Sequence, residues 1–396
     1  MFATRPITLV NGTVIGPEGR CYQSVRVRGG LVDALDRAPQ RGDAVIDLEA
    51  AVVLPGLINA HDHLELNSFK RLKWRPRYTN VREWIADFQP RFMCDPDLAD
   101  ARPETLADRL WVGGLKNLLS GVTTVCHHNP LHRPLGGRFP VRVMRKFGFS
   151  HSLQVDGRTV ARSYSNTPPR WPWVIHAAEG IDREAESEID TLEALGCVRD
   201  NTVLVHGIGI DRARGTRVLQ RGGALVWCPS SNAFLFGRTA DVRRFDEASR
   251  VALGTDSRLS GEGDLLDELR VALNARQLSA ERLVRSVTAS AAAMFRLRDA
   301  GRLECGQPAD LVVMRRREAD PYASVIASRR IDVQLTMIGG TPLIGGLAMR
   351  PIFEARRQAY VAATVDGAPR VVARWIARKT AETRLREPGF ELPPSW

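Results

Sequence analysis

The chain has 396 residues, long enough for one large and one smaller domain, and its content of 44% hydrophobic and 26% charged residues is typical of a globular protein. No stretch approaches the roughly 20 uncharged apolar residues of a membrane helix, and the apolar segment near Met1 is too short for a secretory signal, so we expect a cytoplasmic protein. The net charge of +11 comes almost entirely from scattered arginines, whose longest cluster is RRR at 315–317, so a nucleic-acid partner is not expected.

Short apolar runs separated by turns occupy residues 6–54. ITLV is followed by NGT and VRV by RGG, and VIDLEAAVVL closes the segment. This alternation predicts short antiparallel strands and hairpins, as in a small β domain.

From Pro55 to about Leu297, strand-like runs alternate with helix-like periods. WVIHAAEG precedes IDREAESEIDTLEALG, and TVLVHG precedes DRARGTRVLQRGG. Repeated strand-then-helix units predict an α/β fold with a parallel sheet and right-handed crossovers, either open or closed into a barrel. The length of the segment suits an eight-stranded barrel.

One helix in this segment is defined by its apolar spacing. Within residues 184–195, otherwise rich in acids, four apolar side chains recur at helical intervals and are expected on one buried face: Ala185, Ile189, Leu192 and Leu195.

After the alternating segment, RLECGQPADLVVMRR and DVQLTMIGGTPLIGG return to strands and turns. We therefore expect residues 1–54 and 302–353 to build one composite β domain, interrupted by a domain over 55–301. Residues 354–396 are predicted to form a C-terminal tail that is helical up to Arg386.

The most distinctive motif is AVVLPGLINAHDHLEL at 51–66. A strand places alternate side chains on the same face, so His61 and His63 point one way and Asp62 the other. Two adjacent imidazoles form half a metal site, although an isolated pair is more often structural. Four more candidates follow other predicted strands, where barrel enzymes place their chemistry: His176, Glu179, His206 and Asp256.

Seven motifs occur in a fixed order: PGLINAHDHLE, GVTTV, HAAEG, VHG, CPSSN, LGTDS and GxLxxGxxADLVV. In this order they resemble the amidohydrolase superfamily, in particular its cytosine deaminase, guanine deaminase and chlorohydrolase-like branch, from about Ile7 to Ile344. The resemblance implies a (β/α)8 barrel of the TIM type with a small β-sandwich built from both chain ends.

The same resemblance implies one divalent metal ion, Zn2+ or Fe2+, whose ligands would be His61, His63, His176 and Asp256. Some members of the superfamily bridge two metals with a carbamylated lysine late in the barrel. No lysine occurs here between Lys146 and Lys379, so a single-metal site is expected.

Three residues carry the implied acid–base chemistry. A divalent cation lowers the pKa of bound water toward 7 and so supplies a hydroxide nucleophile. By the resemblance, Asp256 accepts a proton from that water and Glu179 shuttles it to the leaving nitrogen. His206 hydrogen-bonds the water or the developing oxyanion. The alternatives are a first-turn helix carboxylate for Glu179 and a structural role for His206.

One part of the chain departs from the family pattern. Residues 147–172 contain FGFSHSLQVD and little else that resembles a strand, so one strand–helix unit is expected to be reduced. His127 and His128 point to opposite faces of their strand, so at most one faces the site. His128 and His151 are candidate substrate contacts, and Asn232 of CPSSN is expected to be a structural loop residue.

An insert at 69–92 follows the first barrel strand and carries Lys70, Arg71, Trp74 and Trp84. It is either a basic, aromatic lid or a solvated amphipathic surface. As a lid it would suit an anionic or aromatic substrate, with Trp74 as a tentative contact.

The sequence thus predicts a metal-dependent hydrolase of C–N bonds other than peptide bonds that deaminates a small heterocyclic or amidine-like substrate. The alternatives are an amidase or cyclic-amide hydrolase using the same site, and a catalytically inactive binding protein of the same fold. A small-molecule substrate is expected, with no membrane and no nucleic acid. Because dimers are common in the family, a homodimer is left open.

Overall fold

A computed structural model of the protein describes residues 4–92, 94 and 105–394. The outermost residues of the predicted terminal segments, 1–3 and 395–396, lie outside this range. The first part of the chain forms seven strands: β1 (Ile7–Val10), β2 (Thr13–Ile15), β3 (Cys21–Tyr22), β4 (Val25–Arg28), β5 (Leu31–Leu35), β6 (Ala44–Asp47) and β7 (Val52–Pro55).

The early strands match those predicted within residues 6–54, but not all of their pairings do. Four of them form a sheet in the order β5–β4–β1–β6. The pairs β4–β5 and β1–β4 are antiparallel as expected, whereas β1–β6 and β2–β7 are parallel. The prediction of purely antiparallel pairing was wrong because these partners are joined by long connections rather than by tight hairpins.

The middle of the chain alternates strands and helices. Its strands are β8 (Leu57–Asp62), β9 (Val122–His127), β10 (Arg142–Val143), β11 (Gly148–Ser150), β12 (Trp173–Ala177), β13 (Thr202–His206), β14 (Ala224–Trp227) and β15 (Val251–Leu253). The helices are α1 (Val81–Arg91), α2 (Leu106–Leu119), α3 (Leu153–Asp156), α4 (Val160–Asn166), α5 (Arg183–Ala194), α6 (Arg212–Gln220), α7 (Pro229–Phe236), α8 (Arg243–Glu247), α9 (Leu265–Asn274), α10 (Ala280–Ser286) and α11 (Ala289–Met294).

These eight strands form two sheets, β10–β9–β8 and β11–β12–β13–β14–β15, in which every pairing is parallel. The α/β organisation expected from the sequence is therefore confirmed. Strand β15 also lies against β8. Just beyond the end of β15, the Asp256 N–H donates to the His61 carbonyl of β8 at 3.1 Å. A Cβ added at Gly254 would lie 2.6 Å from the His61 Cβ, so only glycine fits this approach.

The reduced unit lies between β10 and β11. Strand β10 is two residues long, β11 is three, and no helix lies within the fully described segment 142–150. In contrast, α5 forms where the spacing predicts it and buries Ala185, Ile189 and Leu192. Leu195 was wrongly placed on that face, since it is the residue that ends the helix and is 43% exposed.

The last part of the chain forms β16 (Leu311–Met314), β17 (Val333–Ile338), β18 (Thr341–Gly346), β19 (Tyr360–Val365), β20 (Ala368–Ala373) and β21 (Phe390–Glu391), with helices α12 (Pro321–Ala327), α13 (Arg350–Ala355) and α14 (Arg374–Glu382). A nine-stranded sheet runs β21–β19–β20–β18–β17–β16–β7–β2–β3 and so combines strands from both parts of the chain. No helix of the described ranges is long and apolar enough to cross a membrane.

The predicted helical tail over 354–396 is corrected by this sheet. Residues 360–373 form the β19–β20 hairpin, and only α14 is helical in the expected place. Asp366 and Gly367 both have positive φ, at 49° and 77°, which is the Asp-Gly turn that joins twisted strands. The turn and the flanking β-branched residues outweigh the local helix propensity.

Candidate active site

The candidate ligands lie where the parallel strands end. His61 is near the end of β8 and His63 directly follows it, His176 is in β12, and Asp256 is three residues beyond β15. Carboxyl ends of parallel strands meet at one edge, so residues distant in sequence face a common centre. Asp256 has φ of +54°, a left-handed conformation that costs about 1–3 kcal/mol for a non-glycine residue and is common at functional sites.

Three imidazole nitrogens converge at this centre. His176 Nε2 lies 3.2 Å from His61 Nε2 and 3.3 Å from His63 Nε2. Asp256 Oδ1 lies 3.9 Å from His61 Nε2 and 3.8 Å from His63 Nε2. One carboxylate and three imidazoles thus surround a space of the size that a single ion occupies.

In His61 and His176, the ring nitrogen that points away from the centre is hydrogen-bonded. These bonds determine that the other nitrogen, Nε2, carries the lone pair. His176 Nδ1 donates to the His151 carbonyl at 2.7 Å, so its Nε2 carries a lone pair. His128 Nε2 donates to the Ser150 carbonyl at 3.0 Å, which leaves His128 Nδ1 to accept from His61 Nδ1 at 3.2 Å. His61 Nε2 therefore also presents a lone pair.

Lone pairs of neutral imidazoles this close to each other and to a carboxylate need a cation between them. Burial and the neighbouring histidines lower the pKa of both His61 and His176, which favours their neutral, ligating forms. Burial would raise the pKa of Asp256, but His63, His206 and two serine hydroxyls hold it below its usual value. The donor set fits a divalent cation such as zinc.

Two further groups form an acid–base pair beside this centre. Glu179 Oε1 lies 3.5 Å from His206 Nε2. Burial, together with the charges of Asp256 and Glu188, raises the pKa of Glu179 well above its usual value, so this carboxyl holds a proton that it can donate. His206 Nδ1 donates to Asn232 Oδ1 at 2.9 Å, which aims Nε2 toward the site. Asn232 is thus more than the loop residue that the sequence suggested.

A cavity of ≈ 340 Å³ opens over these groups. Aromatic and aliphatic side chains form much of its wall, and no arginine or lysine of the described ranges lines it. The lining residues are His63, Leu66, Val81, Trp84, Ile85, Phe88, Gln89, Asn129, His151, Ser152, Val155, His176, Glu179, His206, Leu235, Asp256, Ser257, Leu259 and Ser260. The volume is at the small end of ligand pockets.

The tentative substrate contacts are only partly brought to this cavity. His151 lines it, as expected. His128 does not, because it is wholly buried behind His61 and holds that ring by a hydrogen bond. Trp74 also lies outside the lining, and the Arg91 guanidinium is 5.1 Å from its ring centre. The structure gives no support for these two contacts, which stay predictions, because strand and loop positions do not reveal how deeply a side chain is buried.

The insert at 69–92 covers the cavity with its aromatic side and not with its cations. Trp84 and Phe88 of α1 line the cavity. Arg71 instead bonds Glu262 at 2.6 Å, and Lys73 donates to the Phe234 carbonyl at 2.8 Å. The basic charge of the insert therefore gives no support for an anionic substrate.

Sequence reasoning missed two buried groups that support the site. Glu188 Oε2 accepts the Ala178 N–H at 2.6 Å, where Ala178 has φ of +52° and leads directly into Glu179. Burial raises the pKa of Glu188 to about 7. Its position between Ala185 and Leu192 on the apolar helix face was the available signal.

The second missed group is Lys116 of α2, which is fully buried behind β8. Its Nζ lies 2.9 Å from Asp62 Oδ2, 2.7 Å from Asn67 Oδ1 and 3.1 Å from Thr255 Oγ1. Since Asp62 points away from the two histidines, this network anchors the opposite face of the ligand-bearing strand. A single lysine within the apolar run WVGGLKNLL was its signal.

Comparison with known proteins agrees with this geometry. A family model described as the amidohydrolase family matches residues 173–343. The 5-methylthioadenosine/S-adenosylhomocysteine deaminase of Natronomonas pharaonis is 24% identical over 380 residues, covering 78% of this chain and 85% of that protein. The protein of the same name from Syntrophobacter fumaroxidans is 25% identical over 416 residues, covering 84% and 92%.

Solved structures share the fold. An adenosine deaminase from Xanthomonas campestris with bound zinc superimposes with a TM-score of 0.70 at 20% identity, covering 89% of this chain and 97% of that one. An atrazine chlorohydrolase from Arthrobacter aurescens, complexed with zinc, gives a TM-score of 0.70 at 18% identity and covers 88% and 99%.

These matches indicate a hydrolase that acts on carbon–nitrogen bonds other than peptide bonds, and the histidine cluster could hold a metal ion. Over residues 173–343 the chain is similar to the amidohydrolase family, and over most of its length it is similar to proteins named as deaminases.

Proposed function

We propose that the protein hydrolytically removes the amino group of a neutral aromatic nitrogen heterocycle and uses one divalent metal ion, most simply zinc. The observation that carries the proposal is the meeting of two sets of groups in one cavity. Three histidine Nε2 atoms and Asp256 can hold the metal. Beside them lie Glu179 and His206, whose Oε1 and Nε2 atoms are 3.5 Å apart.

The proposal includes the architecture around the site. The eight parallel strands β8–β15 form a closed (β/α)8 barrel over residues 55–301, supported by the β15–β8 contact. The strands on either side, within 1–54 and 302–353, build a composite β-sandwich with the hairpin β19–β20. The similar folds of the solved relatives support this division.

Each residue of the site has a defined part in the reaction. When bound, the metal acidifies a water molecule so that it is a nucleophile at neutral pH. Asp256 accepts a proton from the attacking water while the oxygen of that water bonds to the carbon that bears the amino group. Glu179 delivers a proton to the amino nitrogen, the C–N bond breaks and ammonia leaves. His206, whose Nδ1–H is held by Asn232, presents the lone pair of Nε2 to the site and accepts a hydrogen bond from the attacking water.

The cavity wall supports a neutral, flat substrate. Trp84 and Phe88 offer aromatic surfaces, and the part of the lining that the structure describes holds no lysine or arginine to bind a phosphate or carboxylate. The relatives named for methylthioadenosine deamination point to a 6-aminopurine with an uncharged substituent as the first compound to assay.

The test combines metal analysis with ammonia release. We expect about one zinc per chain in the purified protein and its loss in His61→Ala. Glu179→Gln should keep the metal and lose about 10²–10⁴-fold in kcat on 5′-methylthioadenosine or another aminated heterocycle. Glu247→Gln, an exposed glutamate on α8, is the matched control and should keep full activity.

Each part of the proposed function has its own outcome that would refute it. Unchanged turnover in Glu179→Gln would remove the proton-transfer role. Opening of a cyclic amide, with no ammonia from any amine tested, would favour the amidase alternative. A protein that binds neither zinc nor ferrous iron on reconstitution would be the inactive binding protein.

A further inference from the structure

Two large grooves lie away from the catalytic cavity and share none of its lining residues. The first, of ≈ 1160 Å³, is bounded by the residues before β12 (170–172), the segment after α11 (295–302) and β10. The second, of ≈ 1090 Å³, lies between residues 135–145 and the start of α14. Arg142, Val143 and Arg145 line both, so we treat them as one surface, the basic grooves.

The residues that line this surface carry a large excess of positive charge. Among the described residues, eleven arginines and lysines line the basic grooves, and Asp299 is the single acidic residue in the lining. The whole chain, by comparison, has 56 basic and 45 acidic residues. The fold therefore gathers on one surface an excess of positive charge that is scattered along the sequence.

Few of these cations are neutralised by the protein itself. Arg142 pairs with Asp310, Arg296 with Asp200 and Arg378 with Glu382. Within the described part of the chain, seven others make no ion pair: Arg138, Arg145, Lys146, Arg170, Arg298, Arg302 and Arg374. Like charges held this close without partners favour a polyanion in the grooves.

The side chains between these cations favour one kind of polyanion. Half-buried aromatic rings lie in the grooves, namely Trp171 in the first and Phe139 and Trp375 in the second, and the Arg138 guanidinium is 5.9 Å from the Trp375 ring centre. Grooves that combine guanidinium groups with exposed aromatic faces bind single strands, since the cations follow the phosphates and the bases stack on the rings.

A lipid surface fits the same region less well. The exposed large apolar residues of the described chain, which a membrane-binding face would insert, are not among those lining the grooves. A concave surface is also poorly matched to a flat bilayer.

We propose that the basic grooves are a binding site for single-stranded nucleic acid, at the end of the parallel strands opposite the catalytic cavity. Thr124 in the first half of β9 and Pro172, just before β12, place the first groove at the amino ends of the strands, whereas His176 and His206 lie at the carboxyl ends. Binding there leaves the catalytic cavity open.

The test is fluorescence anisotropy of a labelled 20-nucleotide strand, as RNA and as DNA, titrated with the full-length, metal-loaded protein. The salt concentration is varied over roughly 0.05–0.3 M, a range in which the affinity of phosphate contacts changes measurably. We expect salt-dependent binding. The triple variant Arg170→Gln, Arg298→Gln, Arg302→Gln should bind at least about tenfold more weakly at 0.1 M salt. The plot of log Kobs against log salt should become less steep by about 2.

The control removes the same charge elsewhere. Arg20, Arg37 and Arg41 are exposed in the segments between the N-terminal strands and lie outside the grooves, so their triple glutamine variant should bind nearly as the unchanged protein does. Trp171→Ala should weaken strand binding about tenfold through lost stacking while leaving the salt dependence unchanged.

Three results would overturn the proposal. The first is no binding at the lowest salt concentration, and the second is equal weakening in the two triple variants. The third is stronger binding of duplex DNA, polyglutamate or phosphatidylserine vesicles than of the single strand, since each would identify a different partner. Ammonia release by the groove variant should equal that of the unchanged protein, because no substituted residue lines the catalytic cavity.

Discussion

The buried carboxyl of Glu188 predicts how the stability of the protein depends on pH. Burial raises its pKa from the ordinary 4.5 to about 7. Between these pH values the folded chain keeps a proton on Glu188 that the unfolded chain has lost. The free energy of unfolding therefore falls as pH rises through this window. A difference of about 2.5 in pKa corresponds to roughly 3 kcal/mol.

Glu188→Gln removes this titration and keeps the shape and a carbonyl acceptor for the Ala178 N–H. We expect the free energy of unfolding of the variant, relative to the unchanged protein, to increase by about 3 kcal/mol between pH 4.5 and pH 8. Urea unfolding of both metal-loaded proteins at the two pH values measures this. The pH dependence of metal binding is common to both proteins and cancels in the comparison.

Glu184→Gln is the matched control, because Glu184 is on the same helix but its carboxylate is exposed beside Arg82. Its relative stability should change little with pH. A pH-dependent change below about 1 kcal/mol in Glu188→Gln, or an equal change in the control, would show that Glu188 does not retain its proton. Glu188→Leu should in addition lower kcat about tenfold or more with little change in KM, since it leaves the Ala178 N–H unpaired beside Glu179.

Three other perturbations follow from the site. His128→Ala should weaken zinc affinity about 10–100-fold in a chelator competition, because His61 loses the hydrogen-bond partner that fixes its ring. Unchanged zinc affinity would contradict that role. The control is Arg158→Ala, since Arg158 is exposed. Lys116→Ala should reduce the free energy of unfolding by about 3–5 kcal/mol, since Asp62 is left buried without its cation. A loss below about 1 kcal/mol would show that the ion pair between Lys116 and Asp62 is dispensable. Trp84→Ala should raise KM severalfold with kcat nearly unchanged, and a selective loss of kcat would contradict its place in the cavity wall.

The sequence was most informative where local pattern and chain order coincide. Alternation along a strand placed His61 and His63 on one face and Asp62 on the other, and the structure agrees. The order of motifs placed His176, His206 and Asp256 at strand ends, which the fold brings together. The roles of these residues, like a cytoplasmic location and a homodimer, stay predictions.

What the sequence could not reveal depends on contacts between distant segments. His128 faces inward, yet whether it meets substrate or His61 is decided by the register of β8 and β9. Strand β10 is too short to give a periodic signal. The basic grooves combine arginines that are far apart in sequence, so a search for local basic runs passes over them.

The nine-stranded sheet also orders events during synthesis of the chain. Strand β7, whose four residues are all buried, pairs with β16, which lies about 250 residues further along. At a ribosome speed of about 5–20 residues per second, β7 can already pair with β2 but waits roughly 10–50 s before its second partner, β16, exists. During that interval the apolar edge Val52–Pro55 faces solvent or a chaperone. Completion of this sheet is therefore among the last steps in the maturation of the protein.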